Sequence, residues 1–334
     1  MIGIIKERNE NVAIISLIIL FTLFAVLIGE MWFNNIPNML RDTSWLGILA
    51  IGQAMIIING EFDLSVGSVF AFVGMFFLLL INNNFGMLPS FALAIMIAIG
   101  IGFFSGFLTW FFGLPSLLVT LAFLFIYRGL LHFSTGGNSI AITEEIRNSW
   151  FIQLLGGETL DFHNSIVIFF LILILLILVM RSLKFGNHIY AVGGNTEAAK
   201  ACGILVGRTK IFTFIICSLL AGLAGIIAAS NLGSVSPSTA MNIEFEAIAA
   251  CVIGGCSLRG GIGTVWGAAL GAGIMIVLKS GMVMLGINIY VYQILLGILL
   301  VSVIALRVIL PKFEQSILEK NTVKNLKNDG INEA

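Results

Sequence analysis

The chain has 334 residues, 59% of them hydrophobic and only 10% charged, with a formal net charge of zero. Soluble domains are about 45–50% apolar and about 25% charged. Water therefore cannot be the solvent for most of this surface; the partner is a lipid bilayer, and the balanced charge gives no reason to expect nucleic acid.

The first element carries Lys6 and Arg8 ahead of an apolar run from Val12 to Gly29. That run is longer than a signal-peptide core of about 7–15 residues, and no small-x-small site closes it, so it reads as a transmembrane helix that stays in place. Spans of about 20 apolar residues are expected at 11–29, 44–60, 64–81, 88–112, 115–133, 164–180, 211–230, 244–258, 262–280 and 288–309. The second and eighth are short and glycine-rich and are expected to be broken or re-entrant helices. Polar stretches at 134–163, 181–210 and 310–334 are too long to be turns.

The expected fold is all-α: a polytopic membrane protein of about ten transmembrane helices with both termini cytoplasmic. The bias of basic residues orients it. With the N-terminus inside, the inner segments hold 13 of the 17 basic residues, leaving Arg41, Arg128, Arg147 and Lys279 outside or near outer helix ends. The membrane domain is expected over 1–310, with a cytoplasmic region at 181–210. The tail 311–334 is expected as a short helix followed by disorder.

The four cysteines form no C-x-x-C pair and the three histidines lie far apart, so neither set predicts a metal or redox site. Four stretches carry more information. In Asn59 to Ser68, Glu61 and Asp63 sit between two apolar runs. A carboxylate at membrane depth costs at least about 2.5–3.5 kcal/mol and survives facing protein, water or the surface. Asn59, Glu61, Asp63 and Ser65 are candidates for the lining of a solute path; Asp63 with Ser65 also suits a helix N-cap. Arg128 follows Pro115-Ser116 by about three turns. It reads as a pathway or gating residue, or as a side chain that snorkels outward or pairs with Glu144 or Glu145.

In 181–210, Asn195 or Thr196 suits an N-cap, Glu197 to Ala201 are helix formers, and Gly203 suits a C-terminal stop. This short helix could insert into a partner or lie as a surface connector. The stretch 244–273 holds eight glycines, among them Gly254 and Gly255. Small residues let helix backbones approach closely in lipid; a broken helix along a path is the sharper reading. The interruption at 59–68 is loosely echoed at 254–261, and paired interruptions point to a transport path. No G-x-x-x-x-G-K-[ST] phosphate loop, G-x-S-x-G or H-E-x-x-H occurs. If ATP drives this protein, another subunit hydrolyses it.

Gly60-Glu61-Phe62-Asp63-Leu64-Ser65-Val66-Gly67-Ser68, Pro115-Ser116 with Val119-Thr120, Ile126-Tyr127-Arg128-Gly129, Ala191-Val192-Gly193-Gly194-Asn195, Glu197-Ala198-Ala199 with Gly203, and Gly254-Gly255 with Gly260-Gly261 occur in this order. Together they resemble the permease family of ribose-, xylose- and arabinose-type ABC importers. The resemblance implies a ten-helix permease working as a homodimer, with ATP-binding subunits docked beneath and an extracytoplasmic solute-binding protein above. It implies no cofactor on this chain, ATP being used by the partner. It makes the helix with Asn195, Glu197, Ala198, Ala199 and Gly203 the coupling helix. Two departures stand out: no I-x-L-P follows that helix, and Glu61 occupies a position that is neutral in many members. Three alternatives stay open: an ABC permease for branched-chain amino acids, nucleosides or a signalling furanose; a stand-alone secondary transporter or channel; and a membrane-embedded enzyme.

Overall fold

The computed structural model describes residues 2–159, 162–302 and 305, and of residues 2–9 the backbone alone. The expected tail at 311–334 lies outside the described residues. The chain forms a body over Met1–Ile289 and a second unit, Tyr290–Ala334.

In chain order, helices α1 (Ile2–Ile28) and α2 (Glu30–Asn34) lead into α3 (Ile36–Ile58), α4 (Val66–Asn82), α5 (Met87–Phe111) and α6 (Ser116–Thr135). A polar excursion follows, holding strand β1 (Ile140–Ala141), helices α7 (Glu144–Arg147) and α8 (Trp150–Gly156), and the hairpin β2 (Glu158–Thr159) and β3 (Phe162–His163). Then come α9 (Asn164–Ser182), α10 (Lys184–Gly194), α11 (Thr196–Ala201) and α12 (Val206–Leu232). Strand β4 (Ser234–Val235) pairs antiparallel with β1, and α13 (Ile243–Ile253) and α14 (Val265–Met284) complete the body. The described part of the second unit is chiefly the apolar helix α15 (Ile289–Ser302). Among the described residues, six helices are long and apolar enough to cross a membrane: α1 from Glu10, α5, α6, α9, α12 and α14.

One expectation about helix length and one about helix number need correction. The segment expected at 44–60 as a short, broken helix is the 23-residue α3, which begins at Ile36 with a proline in its first turn. Pro37 has no N–H to leave unsatisfied there, so it starts the helix ahead of the apolar run. The break comes after it, over residues 59–65. The eighth segment is indeed short: α13 has 11 residues, about 16 Å of rise, against a hydrocarbon core of about 30 Å. Within 181–210 only one short helix is expected, but two form, α10 preceding α11.

Burial sorts the helices by layer. From Leu46 to Ile58 every residue of α3 is buried, and α12 buries Phe214, Ala221, Ala224, Ile226 and Ile227. By contrast α1 exposes Val12, Ile15, Ile19 and Val26, and α9 exposes Val167, Leu171, Ile174 and Leu178. An apolar skin around an equally apolar centre is what lipid solvation permits. Burial of α12 depends on small residues. A Cβ on Gly225 would overlap the Phe70 carbonyl, and one on Gly74 would lie 2.6 Å from the Gly225 carbonyl. The α4 and α12 backbones thus touch directly, as small-residue faces allow. Gly225→Val is expected to lower stability by about 1–3 kcal/mol or more, measured by thermal unfolding in detergent. Gly100→Ala, where the added methyl meets nothing within 4 Å, is expected to leave the transition in place.

Candidate functional site

Residues 59–65 leave the helical path between α3 and α4, and each exposed backbone group needs a partner. Two hydroxyls from the first two turns of α6 supply partners: Phe62 N–H donates to Ser116 Oγ at 3.1 Å and Leu64 N–H to Thr120 Oγ1 at 3.0 Å. Asp63, fully buried, accepts from Ser65 N at 2.8 Å and Ser65 Oγ at 2.6 Å. It closes a turn one step ahead of α4; the N-cap position itself is Ser65, without a side-chain cap bond, so Asp63 is not the N-cap its sequence context suggested. Ser68 Oγ donates to Leu124 O at 3.0 Å, tying α4 to α6. Gly67 faces buried Glu244, whose carboxylate fills the place of a Cβ.

Glu61 forms an ion pair with Lys210 in the first turns of α12, both side chains less than one-fifth exposed. Lys210 was not singled out from the sequence, because a basic residue just inside a span reads as an ordinary orienting charge. Asn59 is buried, and among the described residues neither its Nδ2 nor its Oδ1 has a hydrogen-bond partner; Asp63 Oδ2 lacks one there too. These atoms retain unused hydrogen-bonding capacity at the break.

The same break is where three glycine turns meet. A Cβ on Gly193, near the end of α10, would overlap the Ile58 carbonyl. That carbonyl accepts from Gly261 N at 2.8 Å. A Cβ on Gly260 would lie 2.5 Å from Gly193 O and 2.9 Å from Gly60 Cα. Gly60, Gly260 and Gly261 all have positive φ, at 85°, 83° and 72°. Tyr190 of α10 donates its hydroxyl to Gly263 O at 2.9 Å, and burial pushes that phenol up to about 12, keeping it a donor at neutral pH. The two loosely similar interruptions of the sequence are therefore spatial neighbours, joined through α10. Gly254 and Gly255 lie just beyond: Gly254 abuts the backbone of Gly267 in α14, and Gly255, at φ 90°, ends α13.

Helix α11 follows the joint directly. Asn195 caps it, its Oδ1 accepting from Ala198 N at 2.9 Å. Glu197 and Ala198 are exposed, Ala199 is buried against Val192 and Val206, and Gly203 takes the left-handed φ of 81° that ends the helix. Cys202, at its C-cap, is exposed. One face of α11 is thus seated on the body and the other is open.

The opposite ends of the helices that meet at the joint enclose a cavity of about 840 Å3. Asp42 and Trp45 of α3, Phe70 of α4, Glu246 of α13 and Lys279 of α14 face it. Lys279 Nζ donates to Glu246 Oε1 at 2.9 Å, and the Arg41 guanidinium lies 5.2 Å from the Trp45 ring centre. From the sequence, Arg41 and Lys279 were read only as charges at outer helix ends and Glu246 was not singled out, although a carboxylate inside an apolar segment was the available signal. Arg128 pairs with neither Glu144 nor Glu145. Its guanidinium donates to Pro237 O at 2.9 Å and Thr239 O at 3.0 Å, fastening α6 to the turn that precedes α13.

Residues 35–304 match the model of the family described as branched-chain amino acid transport system / permease component. The chain belongs to this permease family. It is 34% identical to the probable ABC transporter permease protein YphD of Escherichia coli (strain K12), with 91% of each chain covered. It is 32% identical to the xylose transport system permease protein XylH of Haemophilus influenzae, over 90% of this chain and 96% of that one. It is 31% identical to the autoinducer 2 import system permease protein LsrC of Yersinia enterocolitica, over 90% and 82%. Like the rest of this permease family, it is a multi-pass membrane protein.

Gly193→Ala is expected to abolish uptake while membrane insertion persists, because no side chain fits beside the Ile58 carbonyl; uptake and membrane-fraction immunoblots check both halves. Lys210→Met is expected to lower thermal stability and uptake by leaving Glu61 unpaired in a poorly hydrated place. Adding Glu61→Gln is expected to restore a large part of both, read as a double-mutant cycle.

Proposed function

We propose that this chain is the membrane-spanning permease of an ATP-driven importer for a monosaccharide or a closely similar small polar solute. The observation that carries the coupling mechanism is the glycine joint. Helix α11 is one residue from Gly194, and Gly193 rests on the carbonyl that ends α3. A push on α11 therefore reaches both helix interruptions through rigid backbone. Family membership and the names of the xylose and autoinducer 2 relatives support the solute class.

In this reading the chain crosses about ten times in the inner membrane of a prokaryote, and both termini and α11 are cytoplasmic. Two copies work together. A separate ATP-binding subunit receives α11, with Glu197 and Ala198 on its open face, and an extracytoplasmic solute-binding protein delivers cargo. The chain binds no cofactor and hydrolyses no ATP. The joint then closes the inner end while the 840 Å3 cavity opens outward, one half of an alternating-access cycle. Asn59 and Asp63 offer hydrogen bonds at the closed end, and the paired charges of Glu246 and Lys279 leave the open end close to neutral, which suits an uncharged polyol. The family description favours branched-chain amino acids as a second reading.

Glu197→Arg and Gly203→Pro are each expected to reduce uptake to background while insertion stays normal. Normal uptake in both would remove the coupling assignment. Proteoliposomes holding the permease alone are expected to move neither pentose nor leucine; flux without an ATPase would support a stand-alone carrier. In the complete system, a panel of pentoses, hexoses and leucine separates the two solute readings.

A further inference from the structure

We propose that the body holds one amine-bearing phospholipid, of the phosphatidylethanolamine type, in a slot between α1, α9 and α14. Two adjoining cavities make the slot. The first is an apolar groove of about 430 Å3, lined by Leu17, Phe169, Phe170, Leu270, Gly273 and Trp266. The second, of about 290 Å3, holds Glu10, Arg181 and Tyr190, and Trp266 lines it as well. Trp266 thus stands where a tail compartment meets a polar one, the level at which indoles collect in bilayers.

The polar compartment carries both signs of charge. Arg181 ends α9 and Glu10 stands at the start of the membrane-crossing part of α1. Both act electrostatically on Tyr190, which places them around one point. Glu10 is held from behind: Thr264 Oγ1 donates to its Oε1 at 2.7 Å, and one such bond leaves a carboxylate further acceptor capacity. A phosphate fits a guanidinium, and a primary ammonium fits a carboxylate. A headgroup with both, on a chain that fills an apolar groove, matches every part of the slot. A purely anionic lipid would meet Glu10, and choline has no N–H to give it. Basic pockets between transmembrane helices are known headgroup sites; the carboxylate here selects among headgroups. Gly273 lines the groove, and a larger side chain there would project into it. A Cβ there would meet only Leu17 side-chain atoms at 3.8 Å.

Native mass spectrometry of the full-length chain, delipidated and then offered equal phosphatidylethanolamine, phosphatidylglycerol and phosphatidylcholine, tests this. The wild type is expected to retain phosphatidylethanolamine over the other two by about fivefold, the effect of one interfacial charge. Glu10→Gln, which keeps the Thr264 bond, is expected to erase that preference. Arg181→Gln is expected to lower retention of all three lipids, and Gly273→Leu to lower it without changing their order. Equal retention of the three by the wild type, or an unchanged preference in Glu10→Gln, would overturn the proposal. So would competition by free phosphoethanolamine, which points to a soluble ligand, or a dimer that covers the slot and carries no lipid. If Gly273→Leu fails to fold, the two charge variants still decide. The readout needs no ATPase and no solute, so failure of the importer reading leaves its result intact.

Discussion

A chain that abandons its helix inside or beside a bilayer exposes N–H and C=O groups that lipid cannot satisfy. Residues 59–65 do this at the end of α3, which is buried throughout from Leu46 to Ile58, and the rest of the architecture is arranged around meeting that demand. Hydroxyls from the first two turns of α6, the Asp63 carboxylate and the amide of Gly261 take up the stranded groups. Because the third partner is backbone, it approaches closely only where no Cβ intervenes. Gly60, Gly193, Gly260 and Gly261 are the outcome of that geometric demand. They make the joint stiff, since backbone pressed on backbone has no rotamer through which to yield.

That stiffness gives the helix ends a common fate. Helices α3, α12, α13 and α14 share the joint at one end and the Glu246–Lys279 cavity at the other. In the proposed cycle, a small rotation at the joint would become a larger displacement at the far rim, as rigid elements amplify small shifts in hinge and shear motions. Glu61–Lys210 adds an electrostatic strap to the same place. Both of its side chains are largely enclosed, so losing either partner would leave an uncompensated charge there.

Much of this was legible in the sequence, and the reasons are specific. Apolar length exposed the long helices, because lipid imposes a minimum span that no packing argument overrides. Asn195 with Gly203 bracketed α11, because caps are local chemistry, whereas Asp63 turned out to close the turn before α4 and not to cap it. What stayed hidden was non-local. Pro37 begins α3 ahead of the apolar run, so hydropathy began it eight residues late. Helix α10 was missed because Gly186, Gly193 and Gly194 argue against a helix, yet tertiary contact requires two of them: Gly186 lies on the Met180 backbone and Gly193 on Ile58. The cavity pair Glu246 and Lys279 comes from helices that share no motif, so no spacing could join them.

The exposed thiol at the end of α11 has a practical consequence. Of the four cysteines, Cys202 alone meets solvent, while Cys217, Cys251 and Cys256 are enclosed. A thiol-reactive dye applied to the folded natural protein would therefore mark a single position, one residue from the stop of the shortest helix of the 181–210 region. That gives an intrinsic spectroscopic vantage point on whatever settles against this face, with no engineered residue needed.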